Sequence, residues 1–403
     1  MERLKVGVIG LGLRGKSVLE NVLVPICESG KIDITAICEL SDEALLWGKN
    51  FLKEKINEEP LCFKDYKELL DSGIDAVVVI CGWRDHVDIA CEALKRGIAV
   101  GLEVGGAYSV RDCWRLVKTV EETGGKFMFL ENCCYGKREL MLLNMVRKGV
   151  FGHTVHFTGG YHHDLRESLE RSAFSGRYRL KEYLHRNGDT YPSHALGPIM
   201  QMANINRGNR IVSLTSTASG AFGMEDYLEK FEEHPLKNKK FAHGDMITTT
   251  LRCADGQTIT LTLNTTLPSP YSRKLGVFGT KGCYNEDNDS IFINPDKPTL
   301  EPKREELWGN ADKYEEEYLH KYWKENKAFG SHGGMDGMVF TAFFDSVING
   351  TEPPIDVYDG ALIMAITPLS EESVALGGTA VAVPDFTSGR WVTRPPIDPD
   401  KDI

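Results

Sequence analysis

Two hydrophobic periodicities divide this chain near residue 131. Before it, short unbroken apolar runs at 4–9, 32–38, 75–80, 98–102 and 126–130 alternate with amphipathic stretches at 14–28, 41–54, 84–96 and 109–123. Unbroken apolar runs suit strands covered on both faces, and amphipathic stretches suit the helices that cover them. Strand and helix in strict alternation predict a doubly wound parallel sheet. Gly97 and Gly124-Gly125 supply helix stops, and Asp65 reads as the cap of a short helix beginning at Tyr66.

After residue 131 the period changes. A helix is predicted over 136–148. The alternating runs 245–253 and 257–264 flank Ala254-Asp255-Gly256 and read as a hairpin with one buried face. The charged, proline-interrupted stretch 224–244 reads as a surface loop or insertion, and the Pro- and Asp-rich end from Val383 as a surface wrap. The expected architecture is α/β: a Rossmann domain over 1–131, then an α+β domain over 132–403 with an open, mainly antiparallel sheet. Ligands are expected in the crevice at the carboxyl ends of the parallel strands.

Composition narrows the function classes. The 403 residues are 41% hydrophobic and 26% charged, with a net charge of −11, which argues against nucleic acid or an anionic membrane as partner. The ten cysteines form no CxxC pair and no zinc spacing, so they read as buried thiols in a reducing compartment. No apolar run is long enough to span a membrane and no leader pattern precedes the first strand, so the chain reads as cytoplasmic.

The most specific chemistry lies at the start. The first strand runs into Gly10-x-Gly12-x-x-Gly15 and a helix follows. In that context Gly10 permits the tight turn, Gly12 lets backbone approach a pyrophosphate, and Gly15 lets helix and strand pack closely. Glu39 ends the second strand, where an acid accepts ribose hydroxyls and repels a 2′-phosphate, so NAD is favoured over NADP. Polar groups end three further strands: Trp83-Arg84-Asp85-His86, Glu103-Val104 and Glu131-Asn132. Each has a plainer reading as a helix cap or packed side chain; together they read as a lined site.

In the second domain three clusters stand out: Tyr161-His162-His163-Asp164, Tyr191-Pro192-Ser193-His194, and Tyr271-Ser272-Arg273. Tyrosine and histidine suit proton transfer near neutral pH, and tyrosine also stacks on sugar faces. The paired histidines diverge at adjacent positions and no third ligand stands at a familiar spacing, so no metal is expected. His332-Gly333-Gly334-Met335-Asp336 reads as a helix start at the edge of the site.

These motifs, in this order, resemble the Gfo/Idh/MocA oxidoreductase superfamily along the whole chain. More narrowly, they resemble its NAD-dependent α-N-acetylgalactosaminidase branch, glycoside hydrolase family 109. The resemblance implies NAD contacts at Leu13, Arg14, Glu39, Trp83, His86, Glu103, Val104, Asn132 and Tyr191. It implies sugar contacts at Tyr161, Arg179, Tyr191, Ser193, His194 and Tyr271, with Arg179 resting on the resemblance most heavily. Ordinary sugar dehydrogenases of the superfamily carry Glu-Lys-Pro after the fifth strand, whereas this chain has Glu103-Val104-Gly105. The expected function is therefore hydrolysis of α-N-acetylgalactosaminides or related glycosides. The route runs through transient oxidation at C3, deprotonation at C2, elimination, water addition and re-reduction, with His194, Tyr191, Tyr161 and Glu131 as catalytic groups. A conventional NAD-dependent sugar or polyol dehydrogenase is the alternative, and a non-catalytic dinucleotide sensor a remoter one. A homodimer or homotetramer is expected from the open sheet face.

Overall fold

The computed structural model describes residues 3–175, 177–294 and 304–403. The chain divides into two compact units: 1–136 with 321–362 and the last two residues, and 137–320 with 363–401.

The first unit holds a six-stranded parallel sheet of order β3-β2-β1-β4-β5-β6. The strands are β1 (Leu4–Ile9), β2 (Ile32–Cys38), β3 (Leu61–Phe63), β4 (Ala76–Val79), β5 (Ala99–Leu102) and β6 (Phe127–Phe129). Five of them lie on the predicted apolar runs. The sixth, β3, is three residues at the sheet edge with Leu61 and Cys62 exposed, so no apolar run announces it. The fingerprint helix Leu13–Val18 continues through a π-helical turn, Leu19–Leu23, into Val24–Glu28. Ser41 and Asp65 cap the helices Asp42–Ile56 and Tyr66–Leu70, accepting backbone N–H bonds from Ala44 and Lys67.

The chain leaves this unit and returns to it. Helix Met335–Asn349 buries Phe340, Phe343 and Phe344. A Cβ at Gly101, in the middle of β5, would stand 3.0 Å from the Phe343 ring, so the glycine is where an aromatic side chain rests on the sheet. Three buried phenylalanines contribute about 1.5–3 kcal/mol each, which is ample to hold the returning segment. The second domain read as one run, 132–403, is thus interrupted by residues that pack with the first unit.

The second unit holds an eight-stranded mixed sheet of order β13-β12-β11-β7-β10-β9-β8-β14. Its strands are β7 (Thr154–His162), β8 (Ile211–Ala218), β9 (Met246–Cys253), β10 (Thr258–Asn264), β11 (Gly276–Gly279), β12 (Gly282–Asn285), β13 (Ser290–Ile293) and β14 (Val381–Ala382). Among the described residues, only the β7–β10 pair of this sheet is parallel. The predicted hairpin is β9–β10, in register from Thr258↔Arg252 to Asn264↔Met246. Ile247 and Leu251 face inward with Ile259, Leu261 and Leu263, which is the alternation seen in the sequence.

Two expectations here need correction. Residues 224–244 are not merely a surface loop: Met224, Leu228, Leu236 and Phe241 are buried in one cluster with Tyr161, Leu165, Leu169, Tyr183, Ile247 and Leu263. Their apolar side chains are spaced irregularly, so the sequence shows only the charge between them. The C-terminal stretch also inserts rather than only wrapping, burying Phe386 and Ile397, and the Ile397 carbonyl accepts from Arg147 Nε at 2.8 Å. All ten cysteines are free thiols. Among the described residues, no helix is long and apolar enough to cross a membrane.

Candidate functional site

In the first unit the fingerprint turn has the shape its glycines require. Gly10 takes a left-handed φ of +99°, and a Cβ there would press on the Ile80–Cys81 backbone at 2.8 Å. A Cβ at Gly15 would collide with the Gly10 carbonyl, so helix and strand touch there. At Gly12 an added Cβ would meet nothing within 4 Å. That is open backbone of the kind a pyrophosphate can approach, and the chain fits a dinucleotide on this observation. Beside it, the Glu39 carboxylate accepts the N–H groups of Leu11 (2.7 Å) and Ser41 (3.0 Å), which fixes it at the end of β2.

Arg14, in the first turn of the fingerprint helix, ties the strand ends together. Its Nε donates to Glu103 Oε2 at 2.7 Å, and its Nη1 and Nη2 donate to Asp336 at 2.6 and 3.1 Å. Asp336 is fully buried and also accepts from Asn132 Nδ2 at 2.7 Å, with His332 Nδ1 at 2.8 Å. Burial opposes the charge on Asp336, but His332 and Arg14 outweigh it and hold its carboxyl well below the usual range. Leu13 stands exposed beside this network.

Trp83, His86 and Val104, expected at the cofactor, and Glu131, expected among the catalytic groups, are all buried. Trp83 is buried, and its ring fills the space where Gly105 has no Cβ. His86 is buried with Nε2 3.1 Å from the Cys81 carbonyl; burial pushes its pKa down to about 4, so the ring is neutral and donates that bond. Val104 is buried and its N–H donates to Glu103 Oε1 at 2.9 Å. Glu131 is also buried, and its Oε1 accepts from Cys133 N at 2.9 Å, capping a short 3₁₀ turn.

In the second unit five of the predicted residues come together: Tyr161, at the end of β7, with Tyr191, His194, Tyr271 and Arg179. The Tyr161 ring centroid lies 4.5 Å from Tyr191, 5.6 Å from His194 and 6.1 Å from Tyr271. The Arg179 guanidinium sits over the Tyr191 ring at 5.2 Å, a cation–π contact. Two phenol–imidazole pairs result: Tyr191 Oη is 3.4 Å from His194 Nε2, and Tyr161 Oη is 2.9 Å from His163 Nδ1. Sheet pairing builds this cluster. The His162↔Ser272 bridge sets the 271–273 segment beside the end of β7, which brings Tyr271 to Tyr161 and His163. His162 turns the other way, with Nε2 2.9 Å from Thr262 Oγ1, so the adjacent histidines diverge as expected. Ser193 opens helix Ser193–Met202; its Oγ is buried with no hydrogen-bond partner among the described residues.

Two functional candidates escaped the sequence reading. His163 carries no sign of a role in the sequence beyond its place in the cluster, and it partners Tyr161. Asp189 lies two residues before Tyr191, and nothing in the sequence marks it. It is buried, and burial pushes its carboxyl up to about 7 against the opposing bond from the Tyr191 N–H. Its own backbone is strapped to helix Val357–Ala375: its N–H donates to Ser370 Oγ at 2.7 Å, and its carbonyl accepts from Thr367 Oγ1 at 2.9 Å.

Residues 135–393 match the glycosyl hydrolase 109 C-terminal domain. The chain belongs to glycosyl hydrolase family 109. Residues 4–130 match the oxidoreductase family with an NAD-binding Rossmann fold. A glycosyl hydrolase family 109 protein of Stenotrophomonas maltophilia is 35% identical, over 98% of this chain and 91% of the relative. An alpha-N-acetylgalactosaminidase of Tannerella forsythia is likewise 35% identical, over 98% of this chain and 88% of the relative. Among solved structures, a levoglucosan dehydrogenase in complex with NADH and L-sorbose superposes with a TM-score of 0.70 at 17% identity, over 96% of this chain and all of that one. A myo-inositol 2-dehydrogenase from Lactobacillus plantarum gives 0.66 at 16%, over 95% and 100%. At that identity the likeness is one of fold.

Proposed function

We propose that this protein is a glycosidase that holds NAD and hydrolyses α-N-acetylgalactosaminides or related glycosides by oxidation, elimination and re-reduction on the sugar ring. The observation that carries the reading is the pairing of two phenols with two imidazoles, Tyr191–His194 and Tyr161–His163, in a chain whose other unit carries a dinucleotide fingerprint. Most glycosidases place two carboxylates about the scissile bond, and NAD-dependent ones are exceptions. Here the cluster offers proton carriers instead.

NAD, when bound, supplies a hydride acceptor that can return the hydride to the same sugar carbon. Gly12 and Glu39 would hold it, with the Arg14 network behind them. The chain's own residues then have protons to move. One phenol–imidazole pair takes the proton of the C3 hydroxyl as that carbon is oxidised. The resulting carbonyl makes the C2 proton acidic, and the second pair removes it. The C1 substituent departs with its bonding electrons and takes up a proton, water adds at C1 and gives up one proton in its place, and the same groups return their protons to C2 and to the C3 oxygen. We assign Tyr191 and His194 to these transfers, with Tyr161 and Glu131 assisting. Arg179, whose guanidinium lies over the Tyr191 ring, supplies positive charge that stabilises developing negative charge. Ser193 and Tyr271 complete the sugar contacts.

The superfamily's dehydrogenase pattern puts a lysine where this chain has the buried Val104, so no proton carrier stands at that position. This supports the glycosidase reading over a conventional sugar dehydrogenase. The test is a panel of nitrophenyl glycosides assayed with no added NAD, after the purified protein is checked for bound dinucleotide. Turnover on an α-N-acetylgalactosaminide without net absorbance at 340 nm is expected. Stoichiometric NADH formation from a free sugar, with no glycoside cleaved, would replace this reading with the dehydrogenase.

A further inference from the structure

The turn before helix Met335–Asn349 holds a histidine where the backbone favours glycine. His332 takes φ +52°, followed by Gly333 at +66° and Gly334 at +98°, with Gly330 at +84° just before. A side chain with a β-carbon is disfavoured in this left-handed region, and such outliers concentrate at functional sites. Packing does not explain the choice, because the imidazole is 46% exposed.

The turn is fastened to the fingerprint helix. Ser331 Oγ lies 3.0 Å from Ser17 Oγ, and a Cβ at Gly330 would stand 3.0 Å from the Asn21 carbonyl. The His332 ring is 3.3 Å from Arg14 Nη1. Its tautomer is set by the ionised Asp336, whose Oδ2 accepts the Nδ1–H at 2.8 Å. Nε2 points elsewhere and makes no hydrogen bond to another described residue. A buried carboxylate thus orients an exposed imidazole whose outer nitrogen is left for something that is not protein.

Sheet order says which part of a ligand that is. Glu39 ends β2, on one side of β1, where the adenosine ribose of a dinucleotide is held. Arg14 reaches the other way, to Glu103 after β5 and to Asp336 beside Asn132 after β6. His332 belongs to that second group. We infer that His332 is a cofactor-binding residue outside the fingerprint, hydrogen-bonding through Nε2 to an oxygen of the pyrophosphate–nicotinamide-ribose half of the dinucleotide. The inference rests on the reading of this unit as a dinucleotide site.

The test is calorimetric titration of charcoal-treated protein with NAD⁺, ADP-ribose and AMP, on wild type, His332→Ala and His332→Gly, with Tm measured alongside. Loss of one hydrogen bond to a charged or polar oxygen predicts about tenfold weaker binding of NAD⁺ and ADP-ribose. AMP affinity is unchanged, and the Tm of His332→Gly falls only slightly, because relief of the strained β-carbon offsets part of the lost bond to Asp336. Equal NAD⁺ affinity in all three proteins would overturn the inference. So would a fall in Tm with all three ligands weakened alike, since that marks a mere brace for Asp336. A wild type that binds none of the three would instead refute the dinucleotide reading and take the inference with it.

Discussion

Asp189→Asn isolates the proton that burial holds on a carboxyl bonded to the Tyr191 N–H. Asparagine keeps an acceptor for the Tyr191 N–H but cannot titrate. The Asp189 carboxyl has an ordinary value of 3.8 and is pushed up to about 7. Between those values the unfolded chain has lost this proton and the folded chain retains it. Each pH unit in that window therefore lowers the unfolding free energy by up to about 1.4 kcal/mol. The contribution is fully present below 3.8, is lost as pH rises to about 7, and is flat above. From pH 5 to pH 7 it amounts to about 2.7 kcal/mol for this one group, as an upper bound. Urea unfolding of wild type and Asp189→Asn between pH 5 and pH 8 reads the difference directly. The variant should gain on the wild type by up to that amount as pH rises to 7, and the gain should then level off. Curves that stay parallel across the range would refute the claim that burial holds a proton at Asp189.

The fingerprint glycines should separate by cause. Gly12→Ala should leave stability within about 0.5 kcal/mol and abolish dinucleotide binding, whereas Gly15→Ala should lower the Tm itself; calorimetry and thermal melts check both. Asp336→Ala breaks a buried ion pair and should cost about 3–5 kcal/mol, seen as a lower urea midpoint. Because its carboxyl is held below the usual range, the stability it contributes is present above its unfolded value near 3.8 and lost as acid protonates the folded group. Tyr191→Phe and His194→Ala should each lower kcat by about 10²–10⁴ while copurified dinucleotide and Tm are retained. Loss of bound dinucleotide in step with activity would move those residues out of the proton-transfer role.

What the sequence makes legible is what is decided locally. The strand–Gly10–Gly12–Gly15–helix run is contiguous, so its meaning can be read without a fold. The alternation of β9 and β10 is equally local, and the turn between them fixes their register. Edge strand β3 is invisible because three residues, two of them exposed, carry no period. The return of 321–362 to the first unit is invisible because its cause, Phe343 resting on Gly101, joins residues far apart in the chain. The same holds within the candidate site. Tyr161, Tyr191 and His194 stand out by residue type, but their partners follow from sheet register and helix packing. His163 gains its role only because it sits 2.9 Å from Tyr161, and Asp189 only because Ser370 and Thr367 draw its backbone into the interior. His86 stands out in the sequence by residue type and position, but only the fold shows it buried and neutral, with Nε2 on the Cys81 carbonyl.

The central claim is that glycoside cleavage passes through removal and return of the proton on C2. Hydrolysis of an α-N-acetylgalactosaminide in deuterated water, with no added NAD, tests it in one step. Deuterium at C2 of the released sugar is the predicted result, read by NMR or mass spectrometry. Released sugar that keeps its original hydrogen at C2 would contradict the account.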